Sequence, residues 1–417
     1  MYDSKMIEKY ADLILKVGIN LQPGEGLVLS GSTEALDLLR LVTEKAYQMG
    51  AKDVIYMPLD DRMNRARFAY GPNEAFEAYD DYRAEYLIHL YEDRYQHAFI
   101  PSTDPNLLKD MDPAKIAAYN RKVAGINQDT GLSKYRMTGK TRWTIAAMPG
   151  EGWASLVFPD KKGEEAKAAL FDLIAHAVRI DQEDPIQAWR DHNDQLAKVR
   201  EYMNNRQFDY VHFKGPGTDL KVGLADGHVW LGGSKDSSVG SIDYVANMPT
   251  EEVFTTPHKD RVDGTVRSTK PLSLHGNLIT DMEFTFKDGK VVDFSASAGK
   301  DVLENHLGQD EGAKRLGEIA LVENTSPIAE TGKLFYNTLF DENASCHLAF
   351  GQSYGYAMKG GANMEKNELE ALGANQSMIH TDFMIGGADV AVTGYTKDGK
   401  AYPIIVDGSY VKEIVEG

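Results

Sequence analysis

Apolar positions recur with helical spacing between residues 6 and 17, Ile7, Tyr10, Leu13 and Leu15 among them, and the pattern stops at the turn signal Gln22-Pro23-Gly24. Residues 26–30 form an apolar run of strand length, residues 34–49 return to helical spacing before Gly50, and residues 53–57 read as a second strand. This is a β-α-β unit. Residues 85–90, 122–126 and 142–146 read as further strands, with helices near 113–121 and 163–180. The expected architecture for residues 1–182 is an α/β domain, a mostly parallel sheet with flanking helices.

Asp184-Pro185 with Gln187 makes a helix-capping signal, followed by an apolar stripe of Ile186, Trp189, Leu196, Val199 and Met203. From Phe208 the period changes to two. Residues 210–213, 220–224 and 228–231, the last pair separated by Asp226-Gly227, read as antiparallel strands. Asp288-Gly289 and Asp398-Gly399 mark two more hairpins, 284–286 with 291–294 and 390–392 with 402–406. With helices expected near 300–307 and 310–320, residues 183–417 should form a β-rich α+β domain.

The length of 417 residues agrees with two domains, and 42% hydrophobic with 26% charged residues is ordinary for a globular chain. A net charge of -18 argues against nucleic acid or an anionic membrane as partner. Cys346 is the sole cysteine, so no internal disulfide forms; with no apolar run of signal-peptide length near the amino terminus, a cytoplasmic location is expected. The turn Ser30-Gly31-Ser32-Thr33 lacks the glycine pattern of a dinucleotide site and the Gly-Lys-Ser/Thr of a phosphate loop. Arg62, Arg65 and Arg67 read as a solvated face, His89 and His97 have no ligand-type neighbours, and Cys346 reads as a small buried thiol.

The chemistry concentrates near the carboxyl terminus. Residues 378–385 alternate as a strand, which puts His380 and Asp382 on one side of the pleat, a pairing suited to borderline cations such as Zn, Co or Mn. Upstream, Glu251 and Glu252 lie in a polar turn flanked by Pro249 and Pro257, and the local sequence permits either to face inward. Glu318 is enclosed by apolar neighbours, where an unpaired charge is costly to bury and a cation would offset the cost. Taken singly, each glutamate is more simply a solvated or Arg-paired side chain. Together with His347 they are numerous enough for two ions sharing a carboxylate and a water.

The stretch from Pro249 to Pro257, the isolated Glu318, His347 with Tyr354 seven residues on, and His380-Thr381-Asp382 resemble the aminopeptidase T and aminopeptidase S family of bacterial dinuclear metallopeptidases. The likeness runs nearly end to end, including Lys9-Tyr10-Ala11-Asp12 and Leu21-Gln22-Pro23-Gly24. It implies that Glu252, Glu318, His347, His380 and Asp382 ligate two divalent ions (Zn, Co, Mn or Mg), that Tyr354 belongs to the metal-site set, and that the protein is a homodimer whose active sites face an internal chamber. The expected function is a metal-dependent aminopeptidase that releases residues from peptides with a free amino terminus through a metal-activated water. Glu251 is the candidate proton shuttle by adjacency, and the Tyr354 phenol is a candidate donor to the tetrahedral oxyanion. The alternatives are a dinuclear metallohydrolase of non-peptide substrates and a non-catalytic small-molecule binding protein with structural metals.

Overall fold

The opening helix α1 (Ser4–Leu13) is capped by Asp3, whose carboxylate accepts the Lys5 N–H, and it buries Ile7, Tyr10, Ala11 and Leu13. The computed structural model describes residues 2–274 and 276–416, and the chain divides into two units, Met1–Trp189 with Ser234–Pro249 and Arg190–Gly233 with Thr250–Gly417. In the first, β1 (Gly26–Ser32), β2 (Asp53–Leu59), β3 (Tyr95–Ile100) and β4 (Trp143–Ile145) form a parallel sheet in the order β2-β1-β3-β4. The expected parallel sheet with flanking helices is therefore present.

Two of its expected strands are helices. Residues 85–90 lie in the helix Tyr82–Glu92, where Ala84, Leu87, Ile88 and Tyr91 pack in one cluster at spacings of three and four, a helical period that a six-residue window conceals. Residues 122–126 lie in the helix Pro113–Thr130, which Asp112 caps, with Gly131 at positive φ at its end. The third strand is instead β3, whose His97 is buried between the Ser30 hydroxyl (2.8 Å) and the Tyr91 phenol (2.7 Å).

In the second unit, β5 (Tyr210–Gly215), β6 (Thr218–Leu224), β7 (Leu231–Gly232), β8 (Val253–Thr255), β9 (Pro257–Arg267), β10 (Glu283–Lys287), β11 (Lys290–Ser295), β12 (Leu316–Leu321), β13 (His347–Gly351), β14 (His380–Met384), β15 (Ala391–Tyr395), β16 (Ala401–Val406) and β17 (Ser409–Tyr410) build two antiparallel sheets. One runs β11-β10-β9-β6-β5-β15-β16-β17 and the other β14-β13-β12-β8-β7. The hairpins at Asp288-Gly289 and Asp398-Gly399 form as expected. After Asp226-Gly227, however, the chain does not pair back on β6: Leu231 pairs with Phe254 in the five-stranded sheet. The helix expected at 310–320 is a 3-10 turn, Glu311–Lys314, followed by β12, which is buried at every position. A fully buried strand shows no alternation, so its apolar run imitates a buried helix. Phe284, Phe350 and Phe383 stack in the core of this unit with centroids 4.6–5.1 Å apart.

Candidate metal centre

The centre lies on one face of the five-stranded sheet. Register sets Glu318 of β12 opposite Ala349 of β13, and Ala349 opposite Asp382 of β14; His347 faces Ala320, and Gly351 faces His380. Alternation then puts Glu318, His347, His380 and Asp382 on the same face, with Leu348, Phe350 and Phe383 turned to the core. A bulge at Gly317 shifts the register beside Glu318, a device that re-aims a side chain next to a site. The residues between the polar side chains are Ala320, Ala349 and Gly351, so no bulky side chain of these strands stands among them.

Two groups converge there: Glu252, Glu318 and His347, and Glu318, His380 and Asp382, each offering ligand atoms within 4.8 Å of one another. Glu318 belongs to both. Its Oε1 is 3.7 Å from His347 Nε2 and its Oε2 is 3.7 Å from His380 Nε2, while Glu252 lies 3.2 Å from His347 Nε2 and Asp382 lies 3.6 Å from His380 Nε2.

The histidines carry the test of fit. His347 Nδ1–H donates to Ser345 O (3.2 Å) and His380 Nδ1–H donates to Gln352 O (2.8 Å). A ring held this way turns Nε2 toward the carboxylates, the orientation that metal-ligating histidines adopt when a backbone carbonyl fixes the other nitrogen. His347 Nε2 is buried and, although close to two carboxylates, makes no hydrogen bond. Burial alone would depress both imidazoles, yet the facing carboxylates outweigh it: His347, beside Glu252 and Glu318, is raised well above the ordinary value, and His380, beside Asp382 and Glu318, to about 9. Protons thus balance these acids, and a cation between the same atoms would replace them. Burial, with Glu252 behind it, raises Glu318, whereas Asp382, despite its burial, is held low by His380.

Of the adjacent glutamates, Glu252 enters a ligand group. Glu251 does not; its carboxylate lies 3.6 Å from His192 Nε2, and its N–H donates to Asn343 Oδ1. The Tyr354 ring packs 4.6 Å from the His380 ring and 5.3 Å from Tyr356. Among the described residues its phenol has no hydrogen-bond partner.

Sequence reasoning missed Glu342, a half-buried carboxylate in the short turn Glu342–Ala344. Desolvation, then Asp382 and Glu252, push its carboxyl well above the usual range. The only letter-level signal was an acid four residues before Cys346-His347. Cys346 is buried, its thiol donates to Val322 O, and burial raises its pKa to about 11, so it is no nucleophile. Gly351-Gln352-Ser353-Tyr354-Gly355 has the letters of a nucleophile elbow. Ser353 is nonetheless buried, its Oγ accepts the Asn375 N–H, and a single 3-10 turn follows instead of the helix that an elbow requires.

Among known proteins, the thermophilic metalloprotease (M29) family profile matches residues 3–410. The chain is 45% identical over 413 residues to aminopeptidase 2 of Geobacillus stearothermophilus, with 98% of each chain covered. It is 41% identical over 407 residues to aminopeptidase AmpS of Bacillus subtilis (strain 168), again with 98% of each covered. The structure of wild-type AmpT from Thermus thermophilus superposes with a TM-score of 0.91 at 38% identity, covering 98% of this chain and 99% of that one.

Proposed function

The chain belongs to the thermophilic metalloprotease (M29) family and is a metal-dependent aminopeptidase acting on peptides, and from that premise we propose the following site and chemistry. Glu252, Glu318 and His347 hold one divalent ion and Glu318, His380 and Asp382 a second, with Glu318 shared. The observation that carries this assignment is the pair of backbone-fixed imidazoles whose Nε2 atoms face the carboxylates. When bound, such ions polarise the scissile carbonyl and acidify a water to a nucleophile at neutral pH.

The remaining roles fall to side chains. Tyr354 also belongs to the metal-site set through its packing on His380, and its unpartnered phenol donates to the oxygen that gains charge as the carbonyl becomes tetrahedral. Glu251 takes the proton-transfer role, and His192, 3.6 Å from its carboxylate, is able to share that proton. The Ser345 and Gln352 carbonyls hold the imidazole tautomers. The identity of the ions is proposed only as one of Zn, Co, Mn or Mg, because these nitrogen and oxygen donors accept all four. A homodimer and a cytoplasmic location complete the proposal; among the described residues no helix is long and apolar enough to cross a membrane.

The test is to strip the protein with chelator, add back each ion separately, and follow release of the first residue from free and N-acetylated peptides. Activity that returns with one ion and spares the acetylated peptide is expected. Turnover that persists without ions, or equal cleavage of both peptides, refutes the proposal.

A further inference from the structure

A cleft opens beside the metal centre, lined by Pro271, Leu272, Glu342, Asp382 and Met384 among others. Asp382 belongs to a ligand group. Asp341, which also lines the cleft, has both oxygens engaged, accepting the N–H groups of Phe335 and Asn337 at 2.7 and 3.0 Å. Glu342 differs: among the described residues its carboxylate has no hydrogen bond and no ion pair. It is therefore a free acid, set in a narrow cleft whose lining is mostly polar, Ser273, Asn337 and Thr338 among it, and close enough to Asp382, Glu252 and His347 to sense their charges.

We infer that Glu342 anchors the terminal ammonium group of the peptide. The inference rests on the metal assignment above. Two doubly charged ions against the carboxylates of Glu252, Glu318 and Asp382 leave a net positive charge. A substrate ammonium must approach that charge closely, because the bond to be cut is one residue from it. Without a further anion the approach is repelled. Glu251 already faces His192 and the Asp341 oxygens are occupied, which leaves Glu342 as the lining acid able to balance the ammonium. Glu342 thereby becomes a specificity-determining residue: it makes a free amino terminus a requirement and turns a general dinuclear hydrolase site into an exopeptidase.

The test uses Glu342→Gln and Glu342→Asp in the full chain loaded with metal. Three quantities are compared with the wild type: metal content, calorimetric affinity for L-leucinol, which has no bond to be cut, and affinity for 4-methylpentan-1-ol, which has the same shape without the amine. Expected are unchanged metal content, about a hundredfold weaker leucinol binding in Glu342→Gln, a smaller loss in Glu342→Asp, and no change for the desamino alcohol. On a free dipeptide the loss should fall on KM more than on kcat. Loss of an ion makes Glu342 a ligand and overturns the inference. Equal weakening of both alcohols, or of neither, overturns it too. If Glu342→Gln does not fold, Glu342→Asp alone decides by the same comparison. Failure of the wild type to release first residues with any ion would refute the underlying metal assignment instead, so the two failures are distinguishable.

Discussion

Replacing Glu318 by Gln should separate the two duties of a buried acid. Its oxygens lie 3.7 Å from Nε2 of His347 and 3.7 Å from Nε2 of His380, and the residue is 5% exposed. Gln keeps the shape and one oxygen but removes the charge shared by both ligand groups. A unit charge pair at ~4 Å with an effective dielectric of ~20 is worth ~4 kcal/mol, and that figure is taken as the net loss because an amide oxygen still offers a lone pair and the desolvation cost of the charge disappears. Ion affinity should then fall about a thousandfold. The ion-free protein should respond in the opposite direction: burial raises the Glu318 carboxyl, with Glu252 and Asp382 adding to the rise, so the ionised acid destabilises the fold and its removal does not. The assay pairs calorimetric titration of the ion with the urea midpoint of chelated protein. Two ions retained at wild-type affinity with full turnover would show that Glu318 is not a ligand. A chelated variant much weaker than the chelated wild type would show that the side chain is structural.

Three further outcomes are expected. Asp382→Asn should weaken ion binding and shift the pH–rate profile, whereas Thr381→Val, on the opposite face where it shares a 2.8 Å hydrogen bond with His306, should cost about 1 kcal/mol of stability and leave ion binding intact; equal losses of binding would refute the face assignment. Ala349→Leu should abolish ion binding by filling the space between Glu318 and Asp382, with an overpacking cost of ~1–3 kcal/mol in stability; near-ultraviolet circular dichroism and ion titration check it. His97 is pushed down to about 3 by burial, below its ordinary value, so the unfolded chain binds the extra proton and stability is lost as pH falls from about 6.5 toward 3. Between pH 6.5 and 4.5 this contributes about 2–3 kcal/mol, and the urea midpoint of His97→Gln should change less over that interval than that of the wild type.

Much of the fold and most of the site could be read from letters where local pattern and tertiary role coincide. The Asp288-Gly289 and Asp398-Gly399 hairpins, the β-α-β opening and the His380-Asp382 strand pair depend on short-range geometry, and they form. Segments whose burial is set by remote partners misled: β12 carries Glu318 on a strand, yet with both faces buried it shows no alternation to distinguish it from a helix. The Tyr82–Glu92 helix was hidden by the opposite error, an apolar window too short to reveal its three-four spacing. Which of Glu251 and Glu252 turns inward was open locally, because the answer comes from His347 and His192, each remote in sequence. Glu342 gave almost no signal, since a polar turn with an acid in it is ordinary until folding brings it beside Asp382.

The three small residues that line the face differ in what they allow a protein engineer. Gly351 has φ +95°, and a Cβ there would sit 2.1 Å from Ile379 O, so that position admits no side chain without rebuilding the strand end. Ala349 carries a Cβ on the ligand face, in register with Glu318 and Asp382, whereas Ala320, opposite His347, is packed against Phe254 and Ala357. A new donor, such as an aspartate at Ala349, would stand between Glu318 and Asp382. Retuning this sheet toward a harder or softer cation is therefore a matter of one addressable position, while the other two are held small by their packing.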